Sequence, residues 1–117
     1  MGLVQLENYQ ASDELNYLAD RAKSASDFLK ALSHESRLLI LCILAEGEKT
    51  VTDLEAILNL RQPTVSQQLA RLRMDGLVST RRAGKTIYYS LSNDDTRQMI
   101  KVIYDLFCNR KAAAASS

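Results

Sequence analysis

The sequence is poor in the residues on which most catalytic and metal chemistry depends: its 117 residues include two cysteines, one histidine, one proline and four glycines. Cys42 and Cys108 lie 66 positions apart, so there is no C-x-x-C dithiol motif. In a reducing compartment they read as free thiols rather than a disulfide framework. One histidine leaves no Ser/His/Asp arrangement with workable spacing, and four glycines build no phosphate-binding loop, so no enzyme activity is expected. No stretch approaches the ~20 apolar residues of a membrane span, and the opening MGLVQLENYQ lacks the basic start and apolar run of a signal peptide. The expected location is the cytoplasm, without a membrane partner. Leu6 stands where N-myristoylation wants a small hydroxyl residue.

What is present, 46% hydrophobic and 25% charged residues, describes one compact domain, placed at residues 1–111 with AAAASS at 112–117 as a disordered tail. The net charge of +1 conceals a strong division. Between Arg61 and Lys85, six bases face the single acid Asp75, giving +5, while the rest of the chain carries nine bases and thirteen acids, giving −4. Such a local basic patch is either a solvated face or the electrostatic footprint of phosphate binding.

Apolar periodicity predicts mostly helices. Leu15, Leu18, Ala22 and Ala25 give an amphipathic helix over 13–26, followed by a short one through Phe28 and Leu32. Ser33 is a candidate cap for a central helix from His34 to about Glu46, apolar on every side between Leu38 and Leu44 and stopped by Gly47. Thr50 with Asp53 resembles a capping box opening a helix over 51–58. After a turn at 59–62, Pro63 suits the start of another helix, which Gly76 ends. Two short helices around a tight turn make a helix-turn-helix candidate.

The second of these helices puts Val65, Leu69 and Leu72 on one side. The opposite side shows Thr64, Ser66, Gln67, Gln68, Ala70 and Arg71, with Gln62 in the preceding turn. That face is polar without being acidic. Gln pairs bidentately with adenine, Arg with guanine, Ser and Thr bond either base edge, and a small Ala permits close approach to the groove floor. Residues 77–82 and 85–91 then change to a β-rich period and predict a hairpin joined near Ala83 and Gly84. Arg81, Arg82 and Lys85 crowd its tip, either guarding a strand edge or gripping phosphates as a wing. A final helix, capped by Ser92 or Asn93, carries Met99, Ile100, Val102, Ile103, Leu106 and Phe107. Together with the N-terminal helix this exceeds what a small module buries alone, which predicts a homodimer placing two recognition helices on an inverted repeat. The expected fold is mainly α with a β-hairpin wing, a winged helix-turn-helix in the order α-α-α-α-α-β-β-α.

ALSHESRLLIL at 31–41 and QPTVSQQLARLRMDGLV at 62–78, followed by GKTIYYSL at 84–91, together resemble the ArsR/SmtB family of winged-helix dimeric repressors. The resemblance extends over nearly the whole chain. It implies a dimer that binds operator DNA and releases it when an inducer is sensed. Where soft-metal-sensing members of that family place two cysteines in a segment like ELCVCDL, this chain has EKTVTDL, with Thr50 and Thr52 at the thiol positions; hydroxyls do not replace thiolates for soft metals. The C-terminal helix carries Asp94, Asp95 and Asp105 but no histidine, and His34 with two cysteines does not readily assemble a zinc site. No metal or other cofactor is expected.

Read alone, Cys42 within LILCIL is an ordinary packing residue, since free cysteine is often buried. Cys108 ends the last helix, next to Asn109, Arg110 and Lys111. One cysteine in LILCIL and one in YDLFCN is similar to the branch of the family that responds to reactive sulfur, the sulfide- or persulfide-responsive repressors of the SqrR and BigR type. That resemblance implies that Cys42 and Cys108 of one subunit become joined through a disulfide or a chain of sulfurs, in a form that binds DNA poorly. Peroxide, disulfide stress or an unusual metal as inducer, and a winged-helix protein-interaction module with structural cysteines, are the competing readings.

Overall fold

The computed structural model describes residues 11–108, so the expected tail at 112–117 lies outside the described residues. The chain forms two compact units, one ending at Ser33 and the other starting at His34. The element order is α1 (Ala11–Leu32), α2 (Glu35–Ala45), α3 (Val51–Leu58), α4 (Gln62–Met74), β1 (Val78–Ala83), β2 (Thr86–Leu91) and α5 (Asp94–Phe107). This is the winged helix-turn-helix arrangement, with one correction to the expected element order: the two N-terminal helices are one.

Helix α1 is continuous because nothing in its sequence breaks it. It contains neither glycine nor proline, and the Lys23–Asp27 ion pair, 3.2 Å at i,i+4 spacing, spans the expected break. Ser33 closes this helix instead of opening the next. Its hydroxyl donates to the Lys30 carbonyl at 2.8 Å, and His34, with extended backbone and no side-chain capping bond, is the N-cap of α2.

In the second unit the core is formed by Ile40, Leu41 and Leu44 of α2, Leu54 of α3, Val65, Leu69 and Leu72 of α4, Leu77, Val78 and Leu91 of the wing, and Ile100 of α5, all buried. Helix α2, apolar all round, is nonetheless not buried all round in the single chain: Leu39 is 49% exposed.

Helix ends follow their side chains. Thr50 and Asp53 form a reciprocal capping box: the Asp53 N–H donates to Thr50 Oγ1 and the Thr50 N–H to Asp53 Oδ2, each at 3.0 Å. Asn59 takes the left-handed conformation (φ 54°) that ends α3. Gly76, at φ 75°, ends α4 in a Schellman motif, its N–H donating to Arg73 and that of Leu77 to Leu72 at 3.0 and 2.9 Å. Asn93 caps α5 by accepting from the Thr96 N–H at 2.8 Å.

The wing is an antiparallel ribbon with Val78 opposite Leu91, Arg81 opposite Tyr88 and Ala83 opposite Thr86. Gly84, at φ 63°, supplies the first position of the two-residue loop, where a positive φ lets the turn match the strand twist. The loop after α2 joins this ribbon through Lys49 and Tyr89, which exchange two backbone hydrogen bonds of 3.0 and 2.8 Å.

Candidate functional site

Helix α4 is anchored by its inner residues and displays the rest. Val65, Leu69 and Leu72 are buried, which turns Gln62, Thr64, Gln67, Ala70 and Arg71 outward and leaves Ser66 and Gln68 half-buried. Gln62 Nε2 donates to Ser66 Oγ at 2.6 Å, which organises the first turn. Asp75, the lone acid of the basic stretch, lies 3.4 Å from Arg71 Nε and 3.7 Å from Arg37 Nη1. It thereby ties α2 to the end of α4 and steadies Arg71. A groove of about 470 Å³ runs between the start of α2 and α4, with His34 and Arg37 facing Gln67, Gln68 and Arg71 across it. The sequence marks His34 only as the start of the central helix; its place beside α4 depends on a helix crossing that local spacing does not reveal.

The wing requires a second correction. Arg81, Arg82 and Lys85 do not share the hairpin tip. Arg81 stands opposite Tyr88, away from the Gly84 turn, and strand alternation sends it to the face opposite Arg82. Its guanidinium lies over the Tyr88 ring, 4.5 Å from the centroid, and its Nε is 3.0 and 3.2 Å from the two carboxylate oxygens of Glu48. The Arg81 hydrogen bonds hold the Glu48 carboxyl below the usual carboxylate range, and Glu48 in turn raises Arg81. Arg82 Nε donates to the Gly84 carbonyl at 3.2 Å, and Lys85 is exposed. Among the described residues, Arg82 and Lys85 are thus the cations at the tip with no carboxylate partner.

The two cysteines sit on helices that pack together, Cys42 half-buried within α2 and Cys108 exposed at the C-cap of α5, both as free thiols. Burial pushes the Cys42 thiol up from its ordinary value, and the charge of Cys108 adds to the effect. Beside Cys42 a groove of about 600 Å³ opens between α2 and α5, lined by Ala45, Glu46, Arg97, Lys101, Tyr104 and Asp105. Among the described residues no three His, Cys, Asp or Glu side chains gather as a metal site, and no helix is long and apolar enough to cross a membrane.

Residues 34–80, from the N-cap of α2 to the start of β1, match the arsR family of bacterial regulatory proteins. The chain is 48% identical over 88 residues to the biofilm growth-associated repressor of Agrobacterium fabrum, covering 75% of each protein. It is 40% identical over 94 residues to the transcriptional activator HlyU of Vibrio cholerae, covering 80% of this chain and 87% of that one. Its fold superposes on the crystal structure of the transcriptional repressor BigR from Xylella fastidiosa with a TM-score of 0.74 at 42% identity, over 80% of this chain and 92% of the other. The helix-turn-helix of α3 and α4, its wing and these relatives lead to one assignment: the chain belongs to the arsR family of bacterial regulatory proteins.

Proposed function

We propose that the protein is a dimeric transcriptional repressor that holds operator DNA while Cys42 and Cys108 are free and releases it when reactive sulfur joins them. The observation that carries this reading is the position of the thiols. They lie on helices that pack together, Cys42 half-buried within α2 and Cys108 exposed at the end of α5, and away from the outward face of α4. DNA binding and thiol chemistry therefore occupy different parts of one small unit.

In this reading Gln62, Thr64, Ser66, Gln67, Gln68 and Arg71 read base edges or fix the helix in the major groove, while Arg82 and Lys85 bind phosphates and Arg81 sets the wing. A second copy of the chain covers the apolar residues that α5 leaves open, Leu106 (73% exposed) and Phe107 (82%) among them. The dimer rests on this exposed apolar face and on the family. Repression is supported by the Agrobacterium relative and the BigR neighbour; the Vibrio relative's name as an activator makes the direction of control a matter for a reporter assay.

The chemistry follows from exposure. Cys108, the open thiol, attacks the terminal sulfur of a persulfide R–S–SH and becomes Cys108–S–SH, and R–S⁻ leaves. Cys42, held protonated by its surroundings, acts second. Once it gives its proton to solvent, its thiolate attacks the Cys108 sulfur and expels HS⁻ to form a disulfide. If Cys42 has itself acquired a sulfur, the Cys108 persulfide anion attacks the Cys42 sulfur, expels HS⁻ and leaves a trisulfide. In each route the donor is the oxidant, and the link constrains α2 against α5.

The test is the intact mass of reduced protein after exposure to a persulfide donor or to peroxide, with peptide mapping of any link and DNA affinity measured on the same samples. A Cys42–Cys108 link, disulfide or sulfur-retaining, that forms only with the persulfide donor, together with loss of DNA binding, supports the reading. A link formed equally by peroxide moves the inducer to general oxidants, and two unmodified thiols return Cys42 to the core.

A further inference from the structure

We infer that the groove between α2 and α5 docks the amino-acid end of the sulfur donor, so that the protein takes sulfur preferentially from a cysteine-type persulfide rather than from inorganic polysulfide. The inference deepens the sensing reading above and rests on it. At about 600 Å³ the groove lies within the ~300–1,000 Å³ range of small-molecule sites. A hydropolysulfide ion would occupy only a small part of it. Cys42 forms one wall and Cys108 ends the helix that supplies Arg97, Lys101, Tyr104 and Asp105, so a donor seated there lies against one thiol and on the helix that carries the other.

The charges on the walls discriminate between donors. Arg97 and Lys101 supply positive charge, Glu46 and Asp105 negative charge, and Tyr104 and Ala45 provide apolar surface. A purely anionic polysulfide meets attraction and repulsion together. A zwitterion with an ammonium and a carboxylate on one carbon meets both signs with opposite ones. The cations retain the capacity to bind. Arg97 uses Nη1 on Asp94 at 2.9 Å and Nη2 on the Leu91 carbonyl at 3.2 Å, and a guanidinium has five donor hydrogens. Lys101 places one of three on Asp105 at 3.1 Å. The bond to Leu91 also fixes Arg97 against the wing, which makes it a poor target for substitution. Lys101, with a side chain 75% exposed, can be replaced with little effect on the fold.

The experiment has two arms. In the first, the rate of thiol modification is measured with cysteine persulfide and with inorganic tetrasulfide, for the wild-type protein and for Lys101→Gln and Glu46→Gln. The ratio of the two rates is expected to fall on the order of tenfold in each variant, the effect of losing one charge-assisted contact; an unchanged ratio overturns the inference. The second arm removes the sulfur chemistry. Backbone amide NMR of the Cys42→Ser, Cys108→Ser protein is recorded with S-methylcysteine and with 3-(methylthio)propionic acid, which lacks the ammonium. Shifts confined to Ala45, Glu46, Lys101, Tyr104 and Asp105 with S-methylcysteine, and weaker with the acid, support the docking site. No shifts, or equal shifts with both, overturn it. If S-methylcysteine binds in this way while no donor modifies the wild-type thiols, the sensing reading fails and the groove stands as an amino-acid site.

Discussion

Glu48 holds Arg81. The carboxylate bridges from the loop after α2 to the middle of β1, accepting from Arg81 Nε at 3.0 and 3.2 Å, while the guanidinium also covers Tyr88. The pair is partly exposed, its side chains 56% and 37% accessible, so it contributes little to stability. In the proposed complex its effect on DNA binding is expected to be larger, because an arginine neutralised in place releases few counterions from a phosphate. Arg82→Ala and Lys85→Ala are each expected to reduce the salt slope of DNA affinity by about 1, Arg81→Ala by clearly less, and Glu48→Ala to raise it by freeing Arg81. Anisotropy titrations of a labelled duplex over a salt series provide the slopes. Equal losses for Arg81 and Arg82 would place both on phosphate and contradict the clamp.

In the proposed DNA complex, base readout belongs to α4 and is separable from the wing. Gln67→Ala and Arg71→Ala should each weaken specific binding by ~1–3 kcal/mol and relax the preference at one or two operator positions. Their affinity for random duplex should change far less. A selection from randomised DNA compared between wild type and variants measures this directly, and an unaltered consensus would move the reading residues elsewhere on the helix.

Much of this architecture was legible in local spacing. Thr50 and Asp53, Pro63, Gly76 and Asn93 act through neighbours within a few positions, so the ends of α3, α4 and α5 fall within a residue of where the sequence puts them, α4 opening at Gln62, expected in the turn, rather than at Pro63. The same holds for the inward trio of Val65, Leu69 and Leu72, which determines what α4 shows. Read from the sequence, the N-terminal helix divides near residue 27, yet Leu15, Leu18, Ala22, Ala25, Leu29 and Leu32 keep one helical spacing and, without glycine or proline, the backbone has no reason to stop. Glu48 with Arg81, and the groove residues Glu46, Arg97 and Lys101 beside Cys42, were not legible: each set joins elements far apart in the chain, and a surface acid or base gives no local sign of its distant partner.

The Cys42 thiol is raised, first by burial and then by Cys108. An acid raised on folding retains its proton in the native state after the unfolded chain has lost it. Its contribution to stability is therefore fully present below the unfolded value and is lost as pH rises through the folded one. In Cys108→Ser, alkylation of Cys42 by iodoacetamide should rise with pH and reach its half-maximum above the ~8.5 of an unperturbed cysteine. A midpoint at or below that value would make Cys42 the first nucleophile and reverse the order of attack.

Stability should respond most to the centre of the second unit. Leu54→Ala and Leu69→Ala remove fully buried side chains and should cost ~2–5 kcal/mol each. Thr50→Ala, which breaks the capping box, should cost ~0.5–2 kcal/mol. Urea titrations followed by circular dichroism report these losses. Asp53, whose carboxyl is lowered chiefly by accepting from the Thr50 N–H, contributes stability above its unfolded value that disappears as pH falls through the folded one. That acid-side loss should shrink in Thr50→Ala if the cap geometry loosens.

The backbone exchange between Lys49 and Tyr89 bears on how operator preference can be re-engineered. A hairpin bonded only to itself could be cut out at Val78 and Leu91 and replaced by that of a relative. Here the ribbon has a third short segment, supplied by the chain just after α2. A graft that leaves residues 47–49 behind mismatches the donor hairpin with the recipient's loop and loses the Glu48 contact as well. The smallest exchangeable cassette is therefore discontinuous, and chimaeras between members of this family should be cut to carry both pieces together.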